Sequence, residues 1–228
     1  MSDDVYNPLD KLNLAKSIEF KLLSAKAAPL AEAGGIAGAG VYVIYYAGDF
    51  PAYAPIAAAN GDGNFTQPIY IGKAIPKGGR KGGISADVSK SKALGERLGQ
   101  HGASIAQARN LDLSHFLVRH LVVDDIWIPL GENMLIETFK PLWNRAIDGF
   151  GNKDPGQRRA TQYKSPWDVL HPGRAFAEKL AEGPLTPVLL LQRVSDYFAA
   201  RPLTKLPQAI SDQIAAEKRD AEDSADEA

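Results

Sequence analysis

Apolar residues recur along this chain with two periods, and the change from one to the other sets out its elements. Leu12, Leu14, Ile18, Leu22 and Leu23 fall at mostly helical spacing within residues 11–25 and predict an N-terminal amphipathic helix. Residues 31–40 are small and glycine-rich, which suits a linker or a close-packed approach to a first strand. Val41 to Tyr46 is β-branched and aromatic and predicts that strand, buried. Residues 48–67 are rich in Gly, Pro and Asn and read as a loop, and Pro68 to Lys73 returns as a second strand. The two make an antiparallel hairpin whose long connection favours a functional excursion over a tight turn. A glycine-rich loop follows over 74–92, then a helix over 93–108. Ser114 to Val123 predicts a third strand, with Phe116, Val118, His120 and Val122 on one side and His115, Leu117, Arg119 and Leu121 on the other. Pro129 suits the start of a helix that runs to about Lys140 and stops before Pro141.

The order β-β-α-β-α predicts an α+β fold, a small mixed α/β domain with a central antiparallel sheet flanked by helices. The chain divides into an N-terminal helical extension (1–37), a core domain (38–146), a C-terminal extension (147–219) and an acidic tail (220–228) expected to be disordered. The extension is irregular and basic through Arg174, with helices expected near 187–200 and 206–219. There is no internal repeat.

Composition narrows the chemistry. With 228 residues, 45% of them hydrophobic, the chain can bury a core. The absence of cysteine excludes disulfides and thiolate metal sites, and the four histidines are scattered without a zinc-type pairing. The acidic Met1-Ser2-Asp3-Asp4 start lacks an apolar stretch, and no apolar run approaches the roughly 18 residues that span a bilayer, so a cytoplasmic protein without a membrane partner is expected. The net charge of −1 conceals an asymmetry. Residues 70–180 hold 17 Lys and Arg against 11 Asp and Glu, leaving 9 against 16 elsewhere. A basic middle between acidic ends permits phosphate binding.

Hydrolysis of a phosphodiester needs an aligned and deprotonated water, a cation against the developing charge, help for the leaving oxygen and a fixed phosphate. Gly40-Val41-Tyr42 and Tyr70-Ile71-Gly72 lie in the two hairpin strands. Arg97 and His101 follow, four apart and so on one helical face. Next come Glu132 in Glu132-Asn133-Met134-Leu135-Ile136 and, beyond Pro141, Asn144. Glu137 is a competing carboxylate, about 140° round the helix from Glu132, so the two do not face one site.

This series resembles the GIY-YIG nucleases, over roughly residues 38–146, with Val41 in place of the isoleucine of the family name. The resemblance implies a catalytic core in which Glu132 binds Mg²⁺, with Mn²⁺ as a possible substitute, and Arg97 clamps the scissile phosphate. Tyr42 is then the general base or water-orienting phenol, Tyr70 a bond to phosphate or nucleophile, and Lys73 a water-steering or phosphate-contacting group. Asn144 fixes the active-site backbone. Tyr42 and His101 both remain candidates to take the proton. An arginine followed four residues later by histidine resembles the restriction-enzyme branch. Residues 149–156 and 167–174 look like the extension of the branch with SacII-type specificity, which cuts CCGCGG.

That branch implies a type II restriction endonuclease acting on double-stranded DNA, with a cognate methyltransferase in the same system. A palindromic target implies a homodimer, for which the terminal helices are candidates. Lys77, Arg80 and Lys81, and Lys153, Arg158, Arg159 and Lys164, are candidate DNA contacts, most of them to phosphate. A repair or structure-specific nuclease and an inactive DNA-binding module are the rival readings.

Overall fold

The computed structural model describes residues 10–76, 87–154 and 161–226, with side chains as far as 219. Four strands form one antiparallel sheet: β1 (Ala28–Pro29), β2 (Gly40–Tyr46), β3 (Pro68–Ala74) and β4 (Phe116–Val122), in the spatial order β1-β4-β2-β3. The helices are α1 (Lys11–Leu23), α2 (Ala54–Ala59), α3 (Ala93–Gln107), α4 (Ile128–Phe139), α5 (Leu142–Arg145), α6 (Pro166–Leu170), α7 (Pro187–Phe198) and α8 (Gln208–Asp226). The expected β-β-α-β-α order is that of β2, β3, α3, β4 and α4.

β2 is central and wholly buried, because both of its faces are covered. Tyr42, Ile44 and Tyr46 join Leu94, Leu98 and Ile105 of α3, Trp143 of α5 and residues of the C-terminal extension in one core. Val41, Val43 and Tyr45 join Ile128 and Leu135 of α4 and Leu22 of α1 in a second core on the other face. Phe116, Val118 and Val122 pack on the first core, matching the side predicted for them, while Leu121 packs on the second.

The glycine-rich stretch before β2 is a close-packed approach. It begins with a 3-10 turn (Leu30–Gly35) against which α3 lies so tightly that a Cβ on Gly95 would stand 2.6 Å from the Gly34 carbonyl. The first N–H groups of α3 find partners there, Leu94 donating to Gly38 O and Gly95 to Ile36 O, both at 3.0 Å. This pins the start of α3 to the start of β2.

Three predicted features differ. The connection expected as a loop over 48–67 contains α2, a short alanine-rich helix with a proline in its first turn. The stretch after Asn144 expected to be irregular contains α6, capped by the Ser165 hydroxyl. The acidic tail expected to be disordered from 220 continues as helical backbone of α8 through Asp226.

Candidate active site

Tyr42 leaves the middle of β2 directly opposite Gly72 of β3. A Cβ on Gly72 would lie 2.4 Å from the Tyr42 hydroxyl oxygen, so the glycine that closes the second tripeptide is the space the phenol crosses. Regular pairing sets the second tyrosine: Ile44 pairs with Tyr70, and only beyond it does a bulge shift the register, Tyr45 pairing with Pro68 and leaving Ile69 as the extra residue. Tyr70 therefore shares the face of Tyr42, with ring centroids 6.4 Å apart.

α3 brings Arg97 and His101 to the same face. The Tyr42 hydroxyl lies 2.7 Å from His101 Nε2, both groups buried. Burial, with Arg97 and Arg174 adding to it, pushes the His101 imidazole well below its usual range, so the ring is neutral at pH 7 and its nitrogen can accept the phenolic proton. Burial pushes the Tyr42 phenol well up, the neighbouring Tyr70 adds to this, and Arg97 opposes it. Tyr70 is raised by burial and likewise relieved by Arg97. The Arg97 guanidinium thus stands beside both phenols, and its Nη2 donates to Gly151 O at 3.0 Å. Phe150 stacks on the other side of the histidine, 4.5 Å away and 17° from parallel.

Lys73 opposes Val41 and so leaves β3 on the face of α4, where its Nζ meets Glu132 Oε2 at 2.7 Å. Glu132 is nevertheless near enough for its charge to raise both phenols. The site is assembled around the open edge of the sheet, with the tyrosines and α3 on one side and the Lys73–Glu132 pair on the other. Glu137 points elsewhere and is paired with Arg145 at 2.6 Å. Asn144 closes the edge itself. Its Oδ1 accepts from Ile71 N–H and its Nδ2 donates to Ile71 O, both at 2.9 Å, as a neighbouring strand would.

The Glu132 side chain is 15% exposed, and among the described residues no three histidines or acids converge into a metal cage. A single accessible carboxylate suits Mg²⁺, which keeps several waters and takes one or two protein ligands. Of the candidate DNA contacts, Lys153 is exposed, while Lys164 is paired with Glu182 and its side chain is only 17% exposed. Lys77, Arg80, Lys81, Arg158 and Arg159 lie outside the described residues.

The Eco29kI GIY-YIG domain family matches residues 35–198, most of the chain. The chain belongs to this family. No curated protein is similar enough to be recognised as a relative. The GIY-YIG match begins in the 3-10 turn beneath α3 and ends with α7, so it spans both tyrosines, the α3 pair, Glu132 and Asn144. It makes the protein a nuclease of restriction-endonuclease type with the α+β fold described above. No helix among the described residues is long and apolar enough to cross a membrane.

Two contributors lie in segments that the sequence singled out, but their parts at the site were not legible there. Gly72 acts through cross-strand register, and Phe150 reaches His101 from 49 residues away in the chain. Short motifs around a GIY-YIG site do not reveal either part, because both depend on how distant segments meet.

Proposed function

We propose that the protein is a Mg²⁺-dependent type II restriction endonuclease that cuts both strands of a GC-rich palindrome, such as CCGCGG, as a homodimer. The observation that carries the reading is the buried contact between the Tyr42 hydroxyl and His101 Nε2 beside Arg97. A phenol alone is a poor base, since its proton leaves near pH 10. Here the phenol has an acceptor already in place.

The attacking water gives its proton to the Tyr42 oxygen while the Tyr42 proton passes to His101 Nε2. The water oxygen bonds to phosphorus as the bond to the leaving oxygen breaks, and solvent protonates that oxygen. Arg97 neutralises the charge gathering on the phosphate, and Tyr70 fixes the phosphate. The imidazolium formed on His101 is disfavoured by burial and by Arg97, so the proton is readily returned after each turnover. Glu132 would hold Mg²⁺, or Mn²⁺ in its place, with Lys73 sharing its carboxylate or turning to phosphate. The ion, when bound, supplies charge neutralisation at the leaving group. Asn144 keeps β3 in place. Lys153 and the basic residues at 77–81 and 158–159 supply phosphate and base contacts, and a cognate methyltransferase protects the host.

Purified protein incubated with unmethylated phage DNA and Mg²⁺ tests this. A discrete ladder whose sequenced ends share one palindrome, and which EDTA abolishes, is expected. Random nicking, or cutting only at branched DNA, would replace the restriction reading with a repair-type nuclease. Glu132→Ala should abolish cleavage and retain specific binding, whereas Glu137→Ala should cut normally; the opposite pattern would show that the wrong carboxylate has been assigned.

A further inference from the structure

Four consecutive carbonyl groups, those of residues 149–152, are divided between two arginines. Arg174 Nε donates to Asp168 Oδ1 at 2.7 Å, and Nη2 donates to Asp168 Oδ2 at 2.8 Å and Gly149 O at 2.9 Å. Nη1 donates to Phe150 O at 3.0 Å and to Asn152 O at 3.4 Å. Every N–H of the guanidinium is thereby used. The remaining carbonyl, that of Gly151, is the one bonded to Arg97 at the active site. The segment is a turn, with Asn152 N–H donating to Gly149 O at 3.1 Å.

The arrangement is rigid. The side chains of Arg174 and Asp168 are 1% and 2% exposed. The rings of Trp167 and Phe176 lie 4.6 and 4.7 Å from the guanidinium carbon, and the Ser165 hydroxyl donates to Asp168 Oδ2 at 2.7 Å. Gly149 has φ +108° and comes so close to Ser165 that a Cβ would lie 2.1 Å from its hydroxyl oxygen. A buried ion pair is weak evidence for stability, since an apolar pair of similar volume often does as well. An apolar pair here would leave the Phe150 and Asn152 carbonyls without the donors they have and Gly149 O with only the Asn152 N–H of its own turn. What the guanidinium provides is therefore the shape of that turn.

We propose that Arg174 is a positioning residue for the active site: together with Asp168 it holds the 149–152 turn, so that the Gly151 carbonyl sets the Arg97 fork beside the tyrosines and Phe150 fixes the His101 ring against Tyr42. Its catalytic consequence rests on the nuclease reading above; its structural part does not. A lysine at 174 keeps a charge for Asp168, but its three N–H donors cannot serve that carboxylate and three carbonyls together.

Arg174→Lys and Gly151→Ala are the test, with Ile56→Ala in α2 as a control for lost stability. A Cβ on Gly151 would stand 2.9 Å from the Tyr70 hydroxyl and 3.1 Å from Arg97 Nη2, so Gly151→Ala disturbs the seat of Arg97 while leaving the buried ion pair alone. Both variants should lose turnover by about 10- to 100-fold, the scale of a displacement of about 1 Å, with DNA affinity in EDTA within about twofold of wild type. In Arg174→Lys, the His101 ring-proton resonance should move downfield as the shielding by Phe150 is lost. Ile56→Ala, matched for its fall in melting temperature, should keep turnover and resonance. A folded Arg174→Lys with the wild-type His101 resonance would overturn the proposal, as would wild-type turnover in Gly151→Ala should Arg174→Lys not fold. Failure of the wild-type protein to cut DNA would remove the nuclease reading alone, because the resonance decides the positioning role without cleavage.

Discussion

A hydrogen on Gly72 occupies the place where any other residue would collide with the Tyr42 hydroxyl. Gly72→Ala should therefore leave the sheet paired but push the phenol off His101, lowering turnover by roughly 100-fold, the cost of a small misplacement at a reacting group. Cleavage kinetics beside a circular-dichroism melt would check it; full activity would mean that the phenol does not need its seat on the histidine. The tyrosines themselves were legible in the sequence, because each sits in a short motif at a fixed place in a strand. The glycine's part was not, since it follows from the pairing of Tyr42 with Gly72. Tyr45 and Tyr46 pack within the strand expected to be buried, the first bonded to Arg119 at 3.0 Å and the second to Phe50 N–H at 2.7 Å. Nothing in the sequence marks the second phenol–imidazole contact, Tyr53 with His171 at 2.7 Å, completed by Trp143 and Asn110. Its partners lie far apart in the chain, and Trp143 and Tyr46 act on its phenol where Arg97 and Glu132 act on that of Tyr42, so it braces α5.

At the scale of elements, β3 is an edge strand whose outer side is finished by one side chain. Asn144→Asp keeps the acceptor for Ile71 N–H but removes the donor to Ile71 O and brings a charge to the sheet edge. The expected cost is about 1–3 kcal/mol, the range for a buried polar group left without its partner, with cleavage falling alongside. Urea denaturation measures it, and an unchanged midpoint would mean that β3 does not depend on this bridge. α4 was legible because its ends carry prolines: Pro129 sits in its first turn, and Lys140 ends it in a left-handed conformation before Pro141. α2 and α6 were not legible. Six and five residues are too few to show a period, and each is held by what it packs against. β1 is two residues long and exists through its pairing with β4, so it left no pattern to read.

For the molecule as a whole, the two buried histidines make stability depend on pH. Burial depresses His101 well below its usual range and His171 to about 3. The unfolded chain protonates both near pH 6.5, and the native chain does not follow. Stability is then fully present above pH 6.5 and is lost as pH falls below it, by about 1.4 kcal/mol per pH unit for each histidine until the native ring itself takes a proton. Urea unfolding between pH 7 and pH 4.5 should show this slope beginning above the range where carboxylates titrate; a flat profile would mean the rings are not held neutral. The order of the core elements was evident from the change of hydrophobic period, but the way the C-terminal extension folds back was not. Ile210 is 1% exposed in the main core, Gln213 bonds both backbone groups of Tyr163, Glu217 accepts from Asn152 at 3.0 Å, and Lys218 meets Asp148 at 3.0 Å. The family match stops at 198, before any of these. α8 is thus a buttress leaning on the turn beneath Arg97, and a chain trimmed to the family boundary would keep every residue of the reaction centre while losing the strut that steadies it.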